Sequence, residues 1–358
     1  MSTDVISGAW PASTHDLAVL RHPDRRTGWV SVIAATLSDP SADLALRCDE
    51  RLEEINARVP IVGARLRDAT WLPGRPPETI EVRGEPLSGA VLFDRFELSW
   101  EPPIRVIVSE DGRRLALAAH HAALDGRGMV ALIHALVGGP VLAPATVDPA
   151  GGGAGERPWT ALRRLLLPAD GAAPSPTPPA RDSLAVRALT IGGRGVVGRI
   201  AAAAIGAIGE RNRRLGRPWR RIGLTIPIGG PAGIGNVASY RRVDLRPDDD
   251  VRDAVAQVLD SGAVPPEHTS APRALRLLAP IANRFSDSLL VSNHTRYDMP
   301  ELAQIEVYAV ARGRSAIAFG TAGIALGAST LALRARDLDQ GDTEALLDAT
   351  VVRLERAE

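Results

Sequence analysis

Between residues 138 and 183 the hydrophobic pattern of this chain stops. The stretches GGPVLAPATVDPAGGGAG and PADGAAPSPTPPA are rich in Gly, Pro and Ala and follow neither the helical nor the strand period. Chain of that kind has no apolar face to bury, so it connects folded units rather than forming one. It flanks one amphipathic candidate helix, WTALRRLLL at 159–167. At 358 residues the chain is long enough for two such units. The expected organisation is an N-terminal lobe over 1–140, a linker over 141–182 and a C-terminal lobe over 183–358.

Both lobes mix helices and strands. In the first, 29–37 (WVSVIAATL) reads as a strand. Residues 42–58 read as a helix with Leu44, Leu52 and Ile55 on its apolar face, ended by Pro60. Strands at 104–109 and 115–121 are joined by a turn containing Asp111-Gly112, a hairpin signal. Residues 127–137 follow as a buried helix. In the second lobe, strands are expected at 184–191, 222–228, 240–245, 288–292, 305–311, 315–319 and 330–336. Helices are expected near 196–214, 248–260 and 343–356. The uncharged run 315–333 barely reaches the length of a membrane span, but Gly, Ser, Thr and Ala dilute it, so two buried strands around a glycine turn are expected. Alternation without regular βαβ repetition implies an α/β class with a mixed sandwich in each lobe.

Charge and composition narrow the function. The chain carries 42 basic and 42 acidic residues, which disfavours a nucleic-acid binder needing a basic face. Every basic residue is Arg; with no Lys, Schiff-base chemistry and the phosphate-loop lysine are excluded. Cys48 is the only cysteine, so neither an internal disulfide nor a cysteine zinc site can form. No HExxH or paired-carboxylate pattern points to a metal. The first residues, MSTDVISGAW, lack the form of a signal peptide, and a cytoplasmic monomer without a membrane span is expected.

The segment that carries chemistry is His120-His121-Ala122-Ala123-Leu124-Asp125-Gly126, placed after a strand and before a helix. Side chains alternate across a strand, so only one of the two histidines can face a channel between lobes. A neutral imidazole titrates near physiological pH and can take a proton from a hydroxyl or amine. Asp125 stands at the N-cap position of the following helix. Gly126 permits close backbone approach, and the helix N-terminus favours a developing oxyanion.

This segment resembles the HHxxxDG signature of the chloramphenicol acetyltransferase-like superfamily, which includes condensation domains, polyketide-associated acyltransferases and wax ester synthases. Weaker likenesses extend it: 59–66 (VPIVGARL), 103–108 (PIRVIV), 196–228 with its final TIPI, Ser292-Asn293, and the closing strand and helix over 331–353. The resemblance implies a two-lobed sandwich with a cleft between the lobes. It implies that His121 is the residue facing the channel and acts as general base. Asp125 would hold the loop through an Arg, for which Arg241 or Arg242 is a candidate, because the usual position after TIPI carries Gly229-Gly230. His120 and Gly126 complete the expected catalytic segment; Ser292 and Asn293 are candidate oxyanion or substrate contacts, and His294 reads as a polar loop residue. The implied reaction moves an acyl group from a thioester to a hydroxyl or amine of a small-molecule acceptor, in specialised-metabolite biosynthesis. The donor would be acyl-CoA or the acyl-phosphopantetheine of a carrier protein, with no permanently bound cofactor.

Two other readings stand beside it. One is a noncatalytic condensation-like module that binds a carrier protein. The other is a nicotinamide-dependent oxidoreductase built on Gly193-Arg194-Gly195-Val196-Val197-Gly198, a literal GxGxxG. The next strand, however, ends in Gly229-Gly230 and lacks the acidic residue that would bind a ribose.

Overall fold

Apolar residues repeating at strand spacing in both halves build a five-stranded and a six-stranded sheet, beside a small sheet in the order β1-β4-β3. The structure, a computed structural model, describes residues 8–22, 27–88, 90–145, 163–164, 166–189, 193–230, 232–260, 287–311, 316–325, 327 and 329–356. The first half contains β1 (Trp10–Pro11), α1 (Thr14–Leu20), β2 (Val30–Leu37), α2 (Leu44–Arg58), β3 (Arg65–Arg67), β4 (Thr70–Leu72), β5 (Ile80–Val82), β6 (Ile104–Ser109), β7 (Arg114–His120) and α3 (Gly126–Leu136). The second contains β8 (Ser183–Leu189), α4 (Val196–Arg214), β9 (Ile222–Ile228), β10 (Ser239–Leu245), α5 (Val251–Asp260), β11 (Leu289–Tyr297), β12 (Leu302–Tyr308), β13 (Ile317–Ile324), β14 (Ser329–Ala335) and α6 (Gln340–Glu355).

Local rules account for the first half. Helix α2 buries Leu44, Cys48, Leu52 and Ile55, which recur every three or four residues, and it gives way to a 3-10 turn at Pro60–Gly63. The β6–β7 hairpin turns at Asp111-Gly112. There Asp111 Oδ1 accepts from Arg113 N–H at 3.0 Å, and Gly112 takes φ of 62°, the region that favours glycine.

The five-stranded sheet runs in the order β12-β2-β7-β6-β5. Its first member comes from the second half of the chain. β12 pairs antiparallel with β2, setting Glu306 opposite Ala34 and Tyr308 opposite Val32. The division of the sequence near residue 183 is therefore not the division between the sheets. A buried carboxylate fastens the joint: Glu306 accepts from Arg114 Nη1 at 3.1 Å, Gln304 Nε2 at 2.8 Å and the Tyr308 hydroxyl at 2.8 Å. With those partners its burial is tolerable.

The second sheet runs β10-β9-β11-β13-β14-β8. Val291, Ile317, Phe319, Leu331 and Leu333 point to one face and pack on the helical layer, against residues such as Ile200 and Leu347. The other face carries Leu290, Ala316 and Ala318, with Tyr240 packed on them. The 315–333 run is accounted for by β13 and β14, an antiparallel pair. Among the described residues no helix is long and apolar enough to cross a membrane.

The described parts of 141–182 are attached to the second half. Pro144 bridges Ile234, and Ala173 N–H donates to Asn212 Oδ1 at 2.7 Å. Most of the helix expected at 159–167 lies outside the described residues.

Candidate active site

The end of β7 sets the site. His120 and His121 follow one another where the strand stops, and their rings diverge. His120 turns inward: its Nδ1 accepts from Ala122 N–H at 3.2 Å, and Phe96 meets its ring edge-on. Burial pushes its pKa down to about 3, with the neighbouring His121 acting in the same direction. At neutral pH it is an uncharged turn-holding group that does not line the central cavity.

His121 lines that cavity. Its N–H donates to Trp29 O at 2.8 Å. Trp29 holds a φ of 54°, a strained position for a non-glycine residue, and its ring lies edge-on to His121 with centroids 6.2 Å apart. Opposite, the Tyr240 hydroxyl is hydrogen-bonded to His121 Nε2.

Asp125 is buried and caps α3, accepting from Gly128 N–H at 2.8 Å. Its second oxygen accepts from Val237 N–H at 2.9 Å, and its own N–H donates to Gly235 O at 2.9 Å. Thus both oxygens go to backbone groups, not to the expected Arg. Arg242 pairs instead with Asp244 at 3.0 Å and Asp287 at 3.2 Å, and alternation turns Arg241 to the other face of β10. The gap left by Gly229-Gly230 is filled from the first half. Arg127 lies where a side chain at position 229 would project: a Cβ there would stand 2.3 Å from its Cζ. Its Nη1 donates to Gly230 O at 2.8 Å.

Strand β11 supplies the opposite wall. Ser292 and His294 alternate to one face, and Ser292 Oγ lies 3.0 Å from His294 Nε2. Tyr297 Oη lies 3.4 Å from His294 Nδ1. His294 is therefore not a loop residue but a buried member of the strand, resting on Gly126. A Cβ at 126 would come within 2.4 Å of the His294 ring, which is why glycine is needed there. Burial pushes the His294 pKa down to about 4, against an opposing pull from Asp125. Burial likewise raises that of Tyr297 to about 12, so both are neutral at pH 7.

The central cavity measures about 70 Å³ and is lined by His121, Asp125 and Gly126 from the first half and by Tyr240, Ser292 and His294 from the second. Asn293 also lines it. The candidate residues thus converge, except His120. A second cavity, of about 550 Å³, is bordered by Phe93, Leu184, Val186 and Arg187, and Tyr308 lines both spaces. Tyr240, His294, Tyr297 and Arg127 were not among the candidates. Their only local signal is strand alternation, which puts residues 292 and 294 on one face. Among the described residues no cluster of His, Cys, Asp and Glu could hold a metal ion.

The glycine-rich 193–198 segment has a different setting. Gly195, at φ 72°, precedes α4. The strands on either side of that helix, β8 and β9, are separated by β14, β13 and β11. A dinucleotide site needs neighbouring strands around its helix.

No family model matches the sequence, and no curated protein matches it. Solved structures do. The starter condensation domain of rhizomide synthetase, in complex with C8-CoA and Leu-SNAC, superimposes with a TM-score of 0.65 at 12% identity, covering 100% of this chain and 96% of that one. The EpoB NRPS cyclization-docking bidomain from Sorangium cellulosum gives 0.62 at 14% identity, covering 98% and 85%. The condensation domain of Monacolin K polyketide synthase gives 0.56 at 12% identity, covering 97% of each chain. At such identities the likeness defines the fold: this chain has the chloramphenicol acetyltransferase-like fold of condensation domains.

Proposed function

We propose that this protein is an acyltransferase that moves an acyl group from a thioester to a hydroxyl or amine, with His121 as general base. The observation that carries the reading is the position of His121, which lines a cavity assembled from both halves beside the N-terminus of α3. His121 takes the acceptor proton as the acceptor oxygen or nitrogen bonds to the thioester carbon. The oxyanion forms near the α3 N-terminus, with Ser292 and Asn293 on the facing wall. Collapse breaks the C–S bond, and the imidazolium returns the proton to the departing sulfur. Asp125 and Gly126 hold the segment in place, and His120 fixes the turn.

The donor is acyl-CoA or an acylated carrier protein, and no permanent cofactor takes part. The neighbour that holds C8-CoA supports a thioester donor. The two cavities that Tyr308 borders support separate approaches for donor and acceptor, which would keep a long pantetheine arm out of the acceptor's path. We place the reaction in specialised-metabolite biosynthesis.

The test is intact mass spectrometry of mixtures containing the protein, acyl-CoA or acyl-carrier donors, and a panel of alcohols and amines. Acylated acceptor supports the reading. The small central cavity favours a second reading, a noncatalytic carrier-binding module; carrier binding with no product from any donor would establish that instead.

A further inference from the structure

Resting on the acyl-transfer reading above, we infer that Tyr240 holds the acceptor's place on His121 and thereby keeps water from serving as the acceptor. A general base can deprotonate only a group within hydrogen-bond reach of its nitrogen. In this structure that position at Nε2 is taken by the Tyr240 hydroxyl. A neutral imidazole offers one lone pair in the ring plane, so an acceptor and the phenol compete for one place.

The surroundings make the competition selective. Trp29 flanks the His121 ring at 6.2 Å and Tyr240 at 6.0 Å, both edge-on, so the imidazole is held between two aromatic rings. The cavity of about 70 Å³ has room for a few waters or for the reacting end of a small acceptor. An acceptor that displaces the phenol replaces the lost hydrogen bond with contacts of its own to both walls. Water has no such contacts and meets the full cost of displacement, although it is far more concentrated.

Tyr240 is also able to leave. It lies on β10, which among the described residues is an edge strand of its sheet, paired with β9. Its ring is half-buried and rests on Leu290, Ala316 and Ala318, mostly small side chains.

The excluded reaction is hydrolysis. Water oxygen would bond to the thioester carbon as His121 takes a proton; the C–S bond would then break and the proton pass to sulfur, giving a carboxylic acid and a thiol.

The experiment compares wild type with Tyr240→Phe, which keeps the ring and removes the hydroxyl. Diethyl pyrocarbonate reacts with unprotonated imidazole nitrogen, and peptide mapping follows His121 against the half-exposed His134 in the same sample. Modification of His121 should be about tenfold faster in the variant, the factor that one ordinary hydrogen bond represents, with His134 unchanged. In the absence of acceptor, thiol release from octanoyl-CoA and nitrophenol release from p-nitrophenyl octanoate should rise by a similar factor. Both should return to background in the His121→Ala/Tyr240→Phe double variant.

Equal modification rates at His121 would overturn the shielding. Faster modification with unchanged hydrolysis would overturn the exclusion of water. An acyl adduct on Tyr240 in the wild type would make the tyrosine a nucleophile and overturn the inference as a whole. Failure of the acyl-transfer reading shows separately, as absence of acylated acceptor from wild type, and would leave the modification rates as they are.

Discussion

The carboxylate of Asp125 holds the N–H of Val237 at 2.9 Å, across the junction between the two halves of the chain. The same group caps α3 through Gly128. Asp125→Ala removes a helix cap, worth ~0.5–2 kcal/mol, and a charge-assisted hydrogen bond, worth ~1.5–3 kcal/mol. The expected loss of stability is about 2–5 kcal/mol, read from denaturant midpoints at constant slope. An unchanged midpoint with abolished turnover would instead place Asp125 in the chemistry.

Gly126→Ala drives a methyl group into His294, 2.4 Å away. His294 is buried and cannot retreat without breaking its bond to Ser292. Overpacking of this kind costs about 1–3 kcal/mol. The variant is expected to melt earlier than wild type, and trimming the ring with Gly126→Ala/His294→Ala should recover part of the loss. A further drop in the double variant would show that the ring is not what the methyl meets.

His121→Ala tests the proposed base. A positioned base contributes about 10²–10⁴ in rate, or about 3–5 kcal/mol of barrier. The variant should stay folded, with a cooperative melting transition, while kcat/KM for acyl transfer falls by that factor. Undiminished transfer in a folded variant would leave positioning and electrostatics as the source of catalysis.

Stability should depend on pH through two of the buried histidines, His120 and His294. Their folded pKa values, about 3 for His120 and about 4 for His294, lie below the usual 6.5. Between those limits the unfolded chain binds protons that the folded chain does not, so stability rises with pH. This contribution is complete above about pH 6.5 and is lost as pH falls toward 4. His294→Asn should flatten the slope of unfolding free energy against pH in that window. An equal slope in wild type and variant would contradict the burial of the ring.

Cys48 offers a check on the core. It lies on α2 with no exposed surface, and burial pushes its thiol pKa up to about 12. Only the thiolate reacts readily. A disulfide reagent at pH 8 should leave the native protein unmodified and titrate one thiol after unfolding. Rapid labelling of native protein would mean that α2 opens.

What the sequence revealed was local. The apolar spacing of Leu44, Leu52 and Ile55, the Asp111-Gly112 turn and the cap at Asp125 each depend on neighbours a few residues apart, and each is present as expected. The pairing of β12 with β2 joins residues such as Tyr308 and Val32, and nothing in either stretch names its partner. The same holds for Tyr240 on His121 and for Arg127 over Gly229. A missing arginine was legible as Gly229-Gly230; that a residue from the other half fills the gap was not. His294 reads in the sequence as a polar loop residue, whereas strand alternation turns it inward beside Ser292.

The loan of β12 to the first sheet bears on how the chain reaches its native state. On a ribosome that has released only the first 140 residues, β2 would present an open, apolar edge with its backbone groups unpaired. Such an edge is a template for pairing with other chains. Closure waits until residues 302–308 emerge, so the early sheet depends on late synthesis. A fragment cut in the 141–182 stretch should therefore collect as aggregate, whereas the two fragments produced together should rescue each other.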